Sequence, residues 1–363
     1  MRRLWSLRVQ HVQHARRRSV RRLLAPRGGD PSQGARSRRV SADLSALGLA
    51  VGHATDHAGA TGLTIVRGVD RAFRCSAAAI GRATGTRELH AASPFHLVGR
   101  TDAVMLTGGS AYGLDAAAGA MRWMEERQRG HPVTGGVVPI IPAAVIFDLA
   151  PLGRFTARPT AAMAYDACET ATSSGIAEGS VGAGTGATVG RAGGLAGAMK
   201  GGVGIAVAQG GDVTAGAVAV VNSLGDVRDA RGWIIAGARG PDGRFLDGAT
   251  LIAQGTVRRK FNDAALQNTT IALVATSACL TRVELSQLAQ ASAAALFRRI
   301  TPTGTSFDGD VIFAVCPLEG PSAPSPQVEG LAVTALENAV ERAVRLAVGR
   351  DGIPGLADNA ASK

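Results

Sequence analysis

Residues 215–226 of this 363-residue chain read AGAVAVVNSLGD. The first seven residues form an uninterrupted apolar run, which is typical of a strand buried on both faces of a sheet. The run ends on the dipeptide Asn222-Ser223, which is followed by Leu224-Gly225-Asp226. The simplest interpretation of this dipeptide is a turn that ends a strand, because Asn and Ser are common turn residues.

Ser223 also has a chemical interpretation. A Ser hydroxyl held in a strained turn can attack the preceding carbonyl, form an ester and leave a free α-amine after hydrolysis. Because such an amine has a pKa of about 7.7–8.0, a large fraction is neutral at physiological pH and can act as the base for the adjacent hydroxyl. The Asn222–Ser223 bond is therefore a candidate self-cleavage site, and Ser223 is a candidate N-terminal nucleophile that needs no histidine.

Two carboxylates, Asp308 and Asp310, directly precede the apolar run 311–316. In an extended chain, side chains at positions i and i+2 point to the same face. This pair can orient the amine and hydroxyl of Ser223, or hold a substrate ammonium. The alternative interpretation is an Asp-Gly turn that leads into a strand.

Two other segments match known motifs only in part. Residues 182–187 (GAGTGA) fit a relaxed dinucleotide-binding fingerprint, but small polar residues rather than a strand precede them, which favours a glycine-rich turn. Residues 108–112 (GGSAY) lack the second glycine of a hydrolase nucleophile elbow, and no histidine follows His131. This excludes an α/β-hydrolase triad, in which the histidine comes last in the chain.

The remaining pattern indicates a mixed α/β domain over residues 45–363. Helices are predicted from a Ser110 cap to Gly130, over about 159–172, and along an apolar stripe from Leu331 to Val348. Residues 238–263 and 318–329 are predicted to be long surface loops. So many apolar strands require two stacked sheets covered by helices. The further predicted strands lie at 103–107, 137–147, 203–208, 270–276 and 311–316.

The formal net charge of +11 is confined to the N-terminal arm. Residues 1–40 contain twelve arginines and a single acidic residue, Asp30, so the remainder of the chain is neutral. We therefore expect residues 1–44 to be a disordered arm, and we expect no nucleic-acid binding by the folded body. No charge-free run of about 18 apolar residues occurs, so we expect no membrane span and a cytoplasmic protein.

Composition also argues against metal and cofactor chemistry. All seven histidines precede residue 132 and none forms a metal-binding motif with another histidine or a cysteine. The four cysteines are far apart in apolar stretches, which predicts reduced, inert thiols. We expect no metal and no cofactor.

Together, five motifs resemble those of the L-aminopeptidase/D-esterase and β-aminopeptidase family, to which the nylon-oligomer endo-hydrolases also belong. The resemblance covers about residues 45–350. The motifs are TGGSAYGLD (107–115), EGSVGAGTG (178–186), MKGGVG (199–204), VNS (221–223) and FDGD (307–310).

The resemblance implies a precursor that cuts itself into an α chain (1–222) and a β chain (223–363), which stay together in an αββα sandwich like that of the ornithine acetyltransferases. Ser223 matches the nucleophile and Asn222 the residue before the cut. Asp308 and Asp310 match the acidic pair that assists the nucleophile, and Tyr112 matches a substrate-pocket tyrosine. The substrate would be a small peptide or amide, and the assembly a homotetramer.

In two places the chain departs from the family pattern. Ser180 stands where the family often has an Asn whose amide helps stabilise the oxyanion, and loss of such a donor can cost on the order of 10²–10³ in rate. The pocket Lys of the nylon hydrolases has no counterpart at 159–161. Two alternatives therefore stay open, namely an N-acyltransferase of the ornithine acetyltransferase type and a processed, non-enzymatic scaffold.

Overall fold

The computed structural model describes residues 43–149, 152–255 and 268–360. Its helices are α1 (Ala117–Glu126), α2 (Ala161–Glu169), α3 (Gly248–Ala253), α4 (Arg282–Ala291), α5 (Ala293–Arg299) and α6 (Ser325–Arg345). Its strands are β1 (Leu49–Asp56), β2 (Thr61–Gly68), β3 (Phe73–Ala79), β4 (Thr86–Arg87), β5 (Ala103–Thr107), β6 (His131–Val133), β7 (Gly136–Val138), β8 (Ala143–Val145), β9 (Thr188–Val189), β10 (Met199–Lys200), β11 (Gly202–Gly210), β12 (Val213–Asn222), β13 (Asp226–Arg228), β14 (Ile234–Ala236), β15 (Thr269–Thr276), β16 (Ile300–Thr301) and β17 (Val311–Pro317).

Two five-stranded sheets carry the fold. In the first sheet the strand order is β1-β2-β5-β8-β4, and in the second it is β11-β12-β15-β17-β3. Most neighbouring strands run antiparallel, whereas β5 pairs with β8 and β15 pairs with β17 in parallel. Because β15 and β17 run parallel, both strands start at the same edge of the second sheet. Their antiparallel neighbour β12 ends at that edge.

The side chains alternate between the two faces of each sheet, so the molecule has three apolar layers. Leu106 of the first sheet and Val218, Val220 and Phe313 of the second pack between the sheets. Helices α1 and α2 cover the outer face of the first sheet, and α4, α5 and α6 cover that of the second. The architecture is the αββα sandwich that the family resemblance implies.

The arm expected at residues 1–44 lies almost entirely outside the described residues. Within them, Leu44 is buried in the core between the sheets, and its amide donates to the carbonyl oxygen of Ser173 at 2.7 Å. None of the helices in the described ranges is long and apolar enough to cross a membrane.

The helix predicted from Ser110 begins differently from expectation. Residues Ser110–Ala116 form a 3₁₀ helix that precedes α1. The cap position belongs to Gly109, and the Ser110 side chain makes no capping hydrogen bond, so the predicted Ser110 cap is wrong. The physical reason is that an N-cap residue adopts extended backbone, whereas Ser110 has a φ of 51° in the left-handed region.

Other helix and strand boundaries differ from the predicted ones, and in most cases the sequence contains a local signal for the difference. The predicted strand 137–147 is split into β7 and β8, since Pro139 and Pro142 cannot donate ladder hydrogen bonds. The predicted loop 318–329 is wrong at its end, because α6 begins at Ser325 with a proline in its first turn. Helix α3 lies within the predicted loop 238–263. Helices α4 and α5 were not predicted, although the Thr281/Glu284 capping box marks the start of α4.

Candidate active site

Three neighbouring strands bring Ser223 and the two aspartates to one edge of the second sheet. Strand β12 ends at Asn222, which pairs with Thr269 at the start of β15. The preceding residue, Asn268, forms a parallel bridge with Asp308. Because neighbouring strands lie about 4.8 Å apart, the ends of β12 and β17 are separated by roughly 10 Å across β15.

Ser223 itself is buried, with 3% of its surface exposed. In the intact chain its hydroxyl donates to the carbonyl oxygen of Gly225 at 2.8 Å. That carbonyl also accepts from the amide of Gly190 at 3.0 Å.

The side chain of Asn222 is fully buried. It lies between the two sheets, on the same face of β12 as Val218 and Val220. Its Oδ1 accepts from the backbone amide of Thr188 at 3.0 Å. Its Nδ2 donates to the carbonyl oxygen of Phe147 at 3.3 Å. These two hydrogen bonds hold the residue before the predicted cut in a single orientation.

Both aspartates are buried and bind backbone amides. Asp308 accepts from the amide of Thr305 at 2.8 Å. Asp310 accepts from the amide of Thr270 at 2.6 Å through Oδ1, and from the hydroxyl of Thr303 at 2.8 Å through Oδ2. Burial raises the pKa of Asp308, and burial together with the charge of Asp308 raises the pKa of Asp310 to about 7. One carboxyl of the pair can thus exchange a proton at neutral pH.

A cavity of about 240 Å³ lies near Asn222. Two of the residues that line it contact Asn222, since Thr269 pairs with it across the sheet and the carbonyl of Phe147 accepts a hydrogen bond from its side chain. Its wall is formed by Ala83, Thr84, Gly85, Ser110, Ala111, Val145, Phe147, Asn268, Thr269 and Phe307.

One wall of the cavity is a strained turn. Gly109 and Ser110 have φ values of 81° and 51°, and the left-handed conformation is unfavourable for a serine. Buried Asp148 holds this turn, since its Oδ1 accepts from the Gly109 amide at 2.6 Å and its Oδ2 accepts from the Thr61 hydroxyl at 2.8 Å. A Cβ atom on Gly108 would lie 2.1 Å from Asp148 Oδ2, so only glycine fits there. Burial raises the pKa of Asp148 to about 6.

Lys200 supports the loop on the other side of Asn222. Its ammonium is fully buried and donates to the carbonyl oxygens of Thr185 at 2.8 Å and Ala187 at 2.7 Å. The next residue, Thr188, provides the amide that binds Asn222. Burial lowers the pKa of Lys200 to about 7.

Sequence reasoning assigned no role to Lys200 or to Asp148. For Lys200 a signal was present, because the chain has only three lysines among 39 basic residues, and this one lies within an apolar, glycine-rich segment. For Asp148 the signal was weaker, since an aspartate after the strand segment 143–147 also fits an ordinary strand end.

The remaining predicted site residues are Ser180 and Tyr112. Ser180 has its hydroxyl engaged by Val348, to whose carbonyl it donates at 2.9 Å and from whose amide it accepts at 3.0 Å. These contacts give no support to an oxyanion role for Ser180, which stays a prediction. Tyr112 follows the cavity-lining Ser110 by two residues, and 58% of its surface is exposed.

The arrangement combines a buried Ser223 hydroxyl, an Asn222 side chain held by two hydrogen bonds, and a buried carboxyl pair in which the pKa of Asp310 is raised to about 7. Such a set suits acyl transfer through a serine ester, because it provides a nucleophile and groups that can hold an ammonium or move a proton. No cluster of three or more His, Cys, Asp or Glu side chains suited to a metal ion occurs in the described part of the chain.

Comparisons with known proteins place the chain among peptidases. The pattern of Peptidase family S58 matches residues 44–350. An uncharacterized aminopeptidase of Mycobacterium leprae is 42% identical over 251 residues, which span 65% of this chain and 65% of that protein, just under two thirds of its length. The 6-aminohexanoate-oligomer endohydrolase of Paenarthrobacter ureafaciens is 30% identical over 289 residues, covering 74% of this chain and 72% of the relative.

Solved structures share the fold. The L-aminopeptidase D-Ala-esterase/amidase of Ochrobactrum anthropi superposes with a TM-score of 0.61 at 21% identity, over 85% of this chain and 88% of that one. That enzyme is described as a prototype of the serine aminopeptidases and as a new variant of the Ntn hydrolase fold.

Proposed function

The chain belongs to peptidase family S58, and from this premise we propose that it hydrolyses peptide or amide bonds with Ser223 as the nucleophile. Its relatives include aminopeptidases and an amide hydrolase, which supports a hydrolase of C–N bonds. One observation carries the assignment of the site. Ser223 directly follows a buried strand at the sheet edge where Asp308 and Asp310 precede another strand.

The first reaction is cleavage of the chain itself. The Ser223 oxygen attacks the carbonyl carbon of Asn222, and the C–N bond between the two residues breaks. The hydroxyl proton passes to the departing nitrogen, which leaves an ester between Asn222 and Ser223. Water then hydrolyses the ester, giving a carboxylate on Asn222 and a free α-amine on Ser223.

The second reaction uses the same hydroxyl on a substrate. The neutral α-amine of Ser223 takes the hydroxyl proton while the oxygen attacks the substrate carbonyl, and the proton then goes to the leaving amine. Water hydrolyses the resulting acyl-enzyme. Asp308 and Asp310 supply negative charge at this edge, which stabilises an ammonium on Ser223 or on the substrate. This negative charge favours substrates that carry a free N-terminal amine, so we propose aminopeptidase activity on small peptides and amides.

The role of the Ser223 hydroxyl as nucleophile is tested with a serine-reactive fluorophosphonate probe and with a panel of amino-acid amides and dipeptides. We expect the probe to label Ser223 of the processed protein, as located by peptide mass spectrometry, and we expect Ser223→Ala to lose both labelling and turnover. Ser110→Ala serves as the control for labelling elsewhere in the cavity. A protein that hydrolyses the panel but labels at a different serine would refute this assignment.

Acyl transfer is separated from hydrolysis by product analysis with and without an added amine. Hydrolysis gives the free acid under both conditions, whereas an acyltransferase gives mainly the new amide when the amine is present. We further propose a cytoplasmic homotetramer, which light scattering coupled to size-exclusion chromatography and cell fractionation test.

A further inference from the structure

Arg158 has no acidic partner among the described residues and stacks on Tyr112, the residue that the family resemblance matches to a substrate pocket. The guanidinium of Arg158 lies 3.9 Å from the ring centroid of Tyr112 and 5.6 Å from that of Phe155. Tyr112 and Phe155 are both exposed to solvent, with 58% and 57% of their surfaces accessible. Aromatics make up only 4% of the chain, so two exposed rings around one cation mark this surface as a recognition site.

The hydrogen-bonding capacity of Arg158 is largely unused. One terminal nitrogen donates to the carbonyl oxygen of Thr156 at 3.2 Å, and Nε is buried with no hydrogen-bond partner. The ion pairs found within residues 43–149, 152–255 and 268–360 do not include Arg158. A guanidinium stacked on a ring keeps its N–H groups in its own plane, where they can form the two parallel hydrogen bonds that a carboxylate accepts.

The chain connects this arginine to the cavity in two ways. Tyr112 belongs to the same 3₁₀ helix as Ser110, which lines the cavity. On the other side, Pro159 packs against the strained turn, since a Cβ atom on Gly109 would lie 2.8 Å from Pro159 Cδ. Arg158 therefore stacks on a residue of the helix that contributes Ser110 to the cavity wall, and it adjoins in sequence the proline that packs on the turn at Gly109.

We propose that Arg158, stacked on Tyr112, binds the free carboxylate of the substrate, so that the preferred substrates are dipeptides or similarly short peptides rather than longer chains or amides. This inference rests on the proposed function. In an aminopeptidase the N-terminal residue is transferred to Ser223, and the carboxylate of a dipeptide belongs to the amino acid that leaves. Arg158 thus selects substrates by the carboxylate of the leaving amino acid.

The test compares a panel of dipeptides with their C-terminal amides, using varied N-terminal residues. We expect the wild-type enzyme to prefer the acids by about 10- to 100-fold in kcat/KM, the range of a hydrogen-bonded charge pair, with the difference in KM. Arg158→Gln should abolish this preference by raising KM for the acids while kcat and the hydrolysis of amides stay unchanged. Arg158→Lys should restore part of it.

Arg154→Gln is the matched control, because Arg154 is an exposed arginine of the same segment and takes no part in the aromatic stacking. It should keep the full preference for acids. Equal kcat/KM for acids and amides in the wild type, or a preference that survives Arg158→Gln, would overturn the role of Arg158 while leaving hydrolysis by Ser223 intact.

A second measurement detects binding of the dipeptide to Arg158 independently of turnover. Phenylglyoxal modifies free guanidinium groups, and a dipeptide should protect Arg158 from it while the dipeptide amide should not, as mapped by mass spectrometry. Protection in a protein that hydrolyses none of the peptides would uphold the carboxylate site and refute the proposed function. Absence of protection by any dipeptide would refute the site.

Discussion

The side-chain nitrogen of Asn222 donates to the carbonyl oxygen of Phe147 at 3.3 Å, and this hydrogen bond joins the predicted cleavage site in the second sheet to the chain that follows β8 in the first. Asn222 Oδ1 is bound at the same time by the Thr188 amide. The side chain of the residue before the predicted cleavage site is thus held by hydrogen bonds on both of its polar atoms.

Replacing this side chain should slow self-cleavage. Asn222→Ala leaves the Thr188 amide and the Phe147 carbonyl without their partner, and each unsatisfied buried group costs about 1–3 kcal/mol. We expect uncut precursor to accumulate, as seen by intact-mass measurement over time, and we expect a lower unfolding free energy when Asn222→Ala is combined with Ser223→Ala. Cleavage at the wild-type rate would show that the orientation of Asn222 is unimportant.

Ser223 should be required for the cut itself. The wild-type protein should give two chains of roughly 23 and 14 kDa, dividing 36.9 kDa in proportion to residues 1–222 and 223–363. Ser223→Ala should remain one chain because it has no hydroxyl, whereas Ser223→Thr should still be processed, more slowly because its χ1 is stiffer. Edman sequencing of the smaller chain should read Ser-Leu-Gly-Asp. An alanine variant cut after Asn222 would contradict the mechanism.

The two aspartates should be needed for turnover but not for the fold. Asp308→Asn and Asp310→Asn each remove an ionisable carboxyl from the sheet edge that carries Ser223, so we expect kcat/KM to fall on the order of 100-fold, with an unchanged far-ultraviolet circular dichroism spectrum. Asp242→Asn, in an exposed loop, is the control and should keep full activity. Near-wild-type turnover would mean that the mutated aspartate only helps to form the turn before β17.

Asp310 should also make stability depend on pH. Its pKa is raised to about 7 in the folded protein, mainly by burial, from an ordinary value of 3.8. Between these pH values the folded state keeps a proton that the unfolded state has lost, so this group's contribution is complete below about pH 4 and declines as pH rises to about 7.

The sign of this effect is tested in the uncut Ser223→Ala background. From pH 5 to pH 8 the melting temperature should fall relative to that of the Asp310→Asn variant, whose side chain cannot ionise. Asp242→Asn should keep the slope of the parent. Parallel curves for parent and Asp310→Asn would mean that the folded state does not retain the proton.

Lys200 should stabilise the loop that holds Asn222. Lys200→Met keeps a side chain of similar length but leaves the carbonyl oxygen of Thr185 without its donor, while that of Ala187 keeps only the amide of Gly201. We expect this change to cost about 1–3 kcal/mol. In the Ser223→Ala background the loss appears as a lower denaturation midpoint, and with Ser223 present as slower cleavage. Arg122→Met, with 61% of its side chain exposed, should change stability by less than about 0.5 kcal/mol. Equal midpoints for Lys200→Met and its parent would contradict this role.

The sequence alone determined four of the five strands of the second sheet, whereas β3 was not predicted. The runs at 203–208, 215–221, 270–276 and 311–316 correspond to β11, β12, β15 and β17, because strands buried on both faces must be continuously apolar. Helices α4 and α5 were not predicted, although Leu285, Leu288 and Leu296 recur at helical spacing and pack on the sheet.

For the site, the sequence determined which residues have suitable chemistry, and the tertiary structure decided which of them meet. Ser223 and Asp308 could be singled out because each adjoins a buried strand, but only the order β12-β15-β17 places them at one edge. The hydrogen bonds of Asn222 to Phe147 and of Asp148 to Thr61 join segments 75 and 87 residues apart, and no local pattern encodes such contacts. Local propensity and periodicity act over a few residues, whereas the partners of a buried polar group depend on how whole sheets pack against each other.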